Sequence, residues 1–162
     1  MSDLILQERA KEYGARNGIE IDLDRRIGFG SDGEVWETNR NTAVKALGKK
    51  LNYTTERICY TRLKAAGVSE ISGFSVPVLF GFDDELQVIE IEIVTPPFIL
   101  DFGKVWLDNP PDYSPEAMED SLREIEERFG ENFPKVRSLL AALKFHGIYY
   151  MDAKPGNIAF AE

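Results

Sequence analysis

Residues 28–35 read Gly28-Phe29-Gly30-Ser31-Asp32-Gly33-Glu34-Val35, the spacing G-x-G-x-x-G-x-V. What surrounds these glycines decides their meaning. A dinucleotide-binding turn must run into a helix, whose N-terminus then faces the pyrophosphate. Here Val35 and Trp36 are strand formers, and Thr42–Leu47 reads as another strand after Asn39-Arg40-Asn41. Upstream, Ile19, Ile21 and Leu23 alternate with Glu20, Asp22 and Asp24, the period of a half-buried strand. The glycines therefore join two strands. Such a loop is either a plain tight hairpin or a flap over phosphates, where a side chain would hold the backbone away.

Ten residues beyond Val35 stands Lys45, in Ala43-Val44-Lys45. A lysine among apolar strand residues is partly buried, and an unpaired buried ammonium is costly. The helix expected over Thr54–Ala66, capped by Thr54 or Thr55 and stopped by Gly67, offers Glu56 as a partner. That pair would turn the ammonium toward nucleotide phosphates; the plainer alternative is a surface lysine at a strand end. A third group, Asp152-Ala153-Lys154-Pro155-Gly156-Asn157, lies near the end of the sequence. Its Asp can accept a hydroxyl proton, its Lys can neutralise a transferring phosphoryl group, and its Asn carbonyl can bind Mg²⁺. The alternative is a polar turn rich in Pro and Gly.

The remaining segments read as ordinary elements. Residues 3–16 form a short amphipathic helix ended by Gly14 and Gly18. Val76–Phe82 and Leu86–Val94 form a hairpin about Asp83-Asp84-Glu85, and Pro96-Pro97 breaks the chain. Ser114-Pro115 opens a helix to Phe129, with Pro at its first position, and Phe133–Phe145 forms another, closed by Gly147. Trp36, Trp106, Phe80 and Phe82 are expected in the core, and the single histidine, His146, at a helix end.

In their order along the chain, these motifs resemble the eukaryotic-type (Ser/Thr) protein kinase family over roughly residues 25–157. The resemblance implies an α+β fold, kinase-like, with an antiparallel five-stranded N-lobe and a reduced helical C-lobe. An N-terminal helix (1–18) would precede the N-lobe (19–95), and the hinge and C-lobe would follow (96–162). ATP would lie under Gly28, Gly30, Gly33 and Val35, with Lys45 on its phosphates and Glu56 holding Lys45. Glu92-Ile93-Val94 would be the hinge, meeting the adenine through Glu92 and Val94. Asp152 would be the catalytic base, Lys154 would assist at the γ-phosphate, and Asn157 would ligate Mg²⁺.

The sequence also departs from the family. Kinases carry an Asp-Phe-Gly after the catalytic loop, whose Asp is the principal metal ligand, and only five residues follow Asn157. Asp101-Phe102-Gly103 spells the tripeptide on the other side of that loop, where Asp101 is expected near the ribose or as a helix cap. Tyr150 and Met151 stand in the usual His and Arg positions, and Asp32 puts a carboxylate at the tip of the glycine loop. These features suggest a minimal form with an incomplete metal ligand set and weak ATP binding that Mg²⁺ improves only slightly. Two functions stay open: a minimal phosphotransferase, or a catalytically inert, nucleotide-responsive module that binds a protein partner or completing subunit.

Composition sets the outer limits. The 162 residues carry a net charge of −9 and one cysteine, Cys59, which excludes an intrachain disulfide. Residues 82–131 hold 15 acidic and 3 basic side chains, read as a solvated acidic face. The acidic balance argues against nucleic-acid binding. No apolar run is long enough to span a membrane, and a cytoplasmic protein is the default expectation.

Overall fold

The computed structural model describes residues 3–29 and 33–161. Gly30, Ser31 and Asp32 lie outside the described residues, and with them the readings made of Gly30 and Asp32.

Helix α1 (Asp3–Asn17) leads into strands β1 (Ile21–Phe29), β2 (Gly33–Thr38) and β3 (Thr42–Leu47), followed by helix α2 (Lys50–Ala65). Short strands β4 (Glu70–Ile71) and β5 (Phe74–Ser75) precede the hairpin β6 (Leu79–Asp83) and β7 (Val88–Glu92). Then come β8 (Phe98–Ile99), β9 (Trp106–Leu107), α3 (Pro115–Phe129), α4 (Phe133–Phe145), β10 (Ile148–Tyr149) and β11 (Ile158–Ala159). The main sheet has five antiparallel strands in the order β1-β2-β3-β7-β6, the α+β arrangement predicted.

Period-two alternation gives this sheet two apolar faces. On one, Val44, Ala46, Val88 and Trp36 pack with Ala10 and Tyr13 of α1. On the other, Ala43, Leu47, Ile89 and Ile91 join Cys59, Tyr60 and Leu63 of α2, in a core that continues to Leu139 and Leu143 of α4. Helix α2 begins four residues before the expected Thr54, with Lys49 at its N-cap and no side-chain cap. Asn52 and Tyr53 are buried in its extra turn, and the Tyr53 hydroxyl donates to Asp84 at 2.7 Å. Tertiary contacts thus carry the helix past the residue that capping rules favour. Ser114 caps α3 as expected, accepting from the Ala117 N–H at 3.1 Å.

Three aromatic residues expected in the core are not there. Phe80 and Phe82 are half exposed, as is Trp106. The two phenylalanines project from one face of β6, an edge strand. Phe82 is covered in part by the Arg57 guanidinium, 5.2 Å from its ring centroid. Trp36 is buried as expected.

A second small sheet positions the site. It runs β11-β8-β5-β4, with β8 antiparallel to β11 through Phe98↔Ala159 and Ile99↔Ile158. Ile99 and Ile158 are both buried, which anchors the pair. The strand after the Asp152–Asn157 loop is thereby zipped to the strand that leads into Asp101.

Candidate active site

A cavity of about 630 Å³ opens between the five-stranded sheet and the loops beneath it. Gly28, Gly33 and Val35 line its roof, Glu92 and Val94 its inner edge, and Lys45 and Glu56 its wall. Asp152, Lys154 and Asn157 line its floor. The described residues singled out in the sequence thus converge on one space.

The glycines serve different ends. A Cβ on Gly33 would lie 2.3 Å from the Ala46 carbonyl oxygen, so glycine there is required by strand pairing. Among the described residues, a Cβ on Gly28 would meet only the Val35 side chain, at 3.4 Å. At Gly28 the described strand pairing does not require glycine, and the residue lines the cavity.

Lys45 sits mid-strand in β3 with its ammonium almost buried. Its Nζ donates to Glu56 Oε1 at 2.8 Å and Oε2 at 3.0 Å, and lies 3.5 Å from Asp101 Oδ1. Glu56 is fully buried, one helical turn before Tyr60. Burial works against the Lys45 charge, but Glu56 and then Asp101 outweigh it and hold the amine above its ordinary range.

Of the two readings made of Asp101, the helix cap is the one the structure overturns. Asp101 caps no helix: the next one begins at Pro115. Instead it lines the cavity beside Lys45, in the left-handed region at φ 67°, which Asp tolerates better than most residues. The Leu100 N–H donates to the Asn157 carbonyl at 2.8 Å, extending the β8–β11 pairing, so Asp101 and Asn157 flank its open end. Gly103 lets the segment close on α2, since a Cβ there would sit 3.3 Å from Asn52 Cβ and 3.4 Å from Glu56 Oε2. The Asp-Phe-Gly segment precedes the Asp152–Asn157 loop in the chain, yet in space it adjoins that loop.

Phe102, wholly buried, joins the two halves. Its ring meets Tyr60 of α2 edge-on at 5.2 Å and Tyr150 at 5.8 Å. The Tyr150 hydroxyl donates to the carbonyls of Leu100 and Asp101 at 2.9 and 2.8 Å, and also meets the Asn157 side chain. Burial, then the Asp101 charge, push the Tyr150 phenol well up, so it stays a neutral donor. Tyr150 thus ties the backbone at Asp101 to the floor of the cavity.

Asp152 is held on both oxygens. Arg128, in the last turn of α3, donates to Oδ1 at 3.1 Å, and Lys154 Nζ approaches Oδ2 at 3.0 Å. Partial burial pushes this carboxyl up, but Lys154 and then Arg128 outweigh it and keep it below its ordinary range. Arg128 was missed in the sequence, where it looks like one more surface charge on an acidic helix.

Among the described residues, no group of three or more His, Cys, Asp or Glu side chains gathers as a metal site. The Asp101 carboxylate and the Asn157 side chain are hard oxygen donors, a pair suited to Mg²⁺ that keeps waters and binds substrate phosphates. The residues therefore fit a nucleotide-borne Mg²⁺ better than a metal caged by protein alone.

No protein-family model matches the chain, and no curated protein matches it in sequence. Among solved structures, it is similar to the streptomycin–ATP ternary complex of APH(2'')-IIa, with 14% identity and a TM-score of 0.41. It is likewise similar to ADP-bound aminoglycoside phosphotransferase APH(2'')-Ib, with 15% identity and a TM-score of 0.41. Each match covers 76% of this chain and 39% of the other, so the chain spans about two fifths of their length.

Proposed function

We propose that this chain is a kinase-like phosphotransferase that uses Mg²⁺ and ATP to phosphorylate a hydroxyl acceptor. The observation that carries this reading is the Lys45 ammonium, held between buried Glu56 and cavity-facing Asp101. An ammonium fixed in this way can hold phosphate oxygens as a charge-assisted donor. Val35, Ala43 and the Glu92–Val94 edge line the same cavity as Lys45, which supports a reading in which adenine would lie against that edge with its phosphates toward Lys45. Asp101 and Asn157 would hold Mg²⁺, which neutralises charge on the phosphates when bound. Asp152 orients the acceptor hydroxyl and receives its proton as the acceptor oxygen bonds to the γ-phosphorus. The bond from that phosphorus to the bridging oxygen breaks, and ADP leaves with the electron pair. Lys154 offsets charge on the transferring group.

An inert, partner-binding module gains its main support from a missing metal carboxylate. Asp101, in the cavity beside Lys45, supplies one, so the active reading is preferred. The test is transfer of labelled γ-phosphate from ATP, to water or to a hydroxyl acceptor, in the presence of Mg²⁺. Asp152→Asn should remove most turnover and leave ATP binding nearly intact, because the base acts on the acceptor. Turnover that survives Asp152→Asn would contradict the assignment.

A further inference from the structure

Helix α3 belongs to the acidic stretch, and most of its charges face solvent. Its C-terminal turn behaves differently. Ile125 and Phe129 are buried, and Phe129 meets Phe160, next to β11, with ring centroids 6.3 Å apart. Phe160 in turn contacts Phe74 of β5 at 5.3 Å. This end of the helix is therefore fixed to the sheet that carries the site. Arg128 lies between these anchors and projects onto the loop. Its Nη1 donates to Asp152 Oδ1 and to the Ala153 main-chain carbonyl, each at 3.1 Å, while Glu124 one turn earlier lies 3.7 Å from Nη2.

We propose that Arg128 is a positioning residue for phosphotransfer: it braces Asp152 and the backbone that follows from a helix outside the three motifs. The inference rests on the phosphotransferase reading above. Met151 precedes Asp152, so no arginine in the loop itself can serve. Lys154 is the other cation on Asp152, but it stands on the same loop, half exposed, and moves with it. Among the described residues, Arg128 is the one that ties the carboxylate to a separate, packed element. A carboxylate that must meet a hydroxyl in line with the γ-phosphorus gains from that tie, since displacement of about 1 Å can cost roughly 100-fold in rate.

The experiment compares wild type, Arg128→Ala and Arg128→Lys by two readouts. Amide hydrogen exchange over residues 152–157 should speed up about five- to tenfold in Arg128→Ala, the factor set by one net hydrogen bond. Exchange in α4 should stay the same. Turnover of Mg²⁺-ATP should fall roughly 10- to 100-fold in Arg128→Ala, with ATP affinity within about twofold of wild type. Arg128→Lys should recover part of the turnover. Unchanged loop exchange, or equal losses of turnover and ATP affinity, would overturn the proposal. If wild type binds ATP without detectable turnover, the phosphotransferase reading falls and this inference falls with it, whatever the loop exchange shows. If wild type fails to bind ATP at all, the phosphotransferase reading falls and this inference falls with it. Loss of the brace in a protein that still turns over normally sinks the inference alone.

Discussion

At the scale of single residues, the Lys45–Glu56 pair has the largest energetic consequence. Glu56 is fully buried, so removing Lys45 takes its ion-pair partner from a carboxylate in the core. Lys45→Ala should therefore destabilise the fold by about 3–5 kcal/mol, beyond any loss of nucleotide affinity. The double variant Lys45→Ala/Glu56→Ala should be more stable than the sum of the single losses implies. Denaturant unfolding of the four proteins measures this coupling, and simple additivity would show that the pair is not formed. The glycines offer a second contrast. Gly33→Ala pushes a methyl group into the Ala46 carbonyl and should cost about 1–3 kcal/mol. Gly28→Ala should change stability by less than about 1 kcal/mol while weakening ATP binding, since its methyl would enter the cavity roof. Unfolding and ATP titration of both variants separate these effects.

At the scale of elements, α1 is fixed to the sheet by a buried polar network. Glu90 on β7 accepts from the Tyr13 hydroxyl at 3.0 Å and from Arg40 Nε and Nη2 at 2.8 and 2.6 Å, and also from Thr42. Burial pushes the Glu90 carboxyl up, but Arg40, Thr42 and Tyr13 outweigh it, and it stays below its ordinary value of 4.5. A depressed carboxylate adds stability that is present above the unfolded-state pKa and is lost as pH falls through the lower folded one. Unfolding followed from pH 7 downward should therefore show stability falling below about pH 4.5. Glu90→Gln should flatten part of that decline. An identical pH profile in Glu90→Gln would remove Glu90 as its source.

The elements also show what sequence reading can and cannot reach. Helices α3 and α4 were legible to the residue, because Ser114-Pro115 and Gly147 mark ends that any local context would respect. The strands of the large sheet were legible from alternation. Strand β8 was not: it has two residues, too few for a period, and its partner lies about 60 positions later. Asp101 was singled out near the ribose or as a helix cap, and its place beside Lys45 was missed for the same reason. Its tripeptide is plain in the sequence, but only the β8–β11 pairing places it on the cavity. Arg128 has no local signal at all, since an arginine four residues from a glutamate is ordinary on a helix surface.

At the scale of the whole molecule, the nucleotide-facing groups come from four stretches of chain that are remote in sequence. Lys45, Glu56, Asp101 and the Asp152–Asn157 loop meet because β3 and α2 share one core with Phe102 and Tyr150, Phe102 bridges Tyr60 of α2 to Tyr150, and β8 pairs with β11. The order of the pieces along the chain matters less than this packing. Asp101, before the Asp152–Asn157 loop in the chain but beside Lys45 in the cavity, is the carboxylate proposed to hold Mg²⁺. Calorimetric titration of ATP, with and without Mg²⁺, into wild type and Asp101→Asn tests that proposal directly. In wild type, Mg²⁺ should tighten ATP binding by about tenfold or more, an increment of roughly 1.4 kcal/mol. Asp101→Asn should lose that increment yet bind metal-free ATP at least as well, because Lys45 is released toward the phosphates. An equal Mg²⁺ gain in both proteins, or no ATP binding in wild type, would contradict the account.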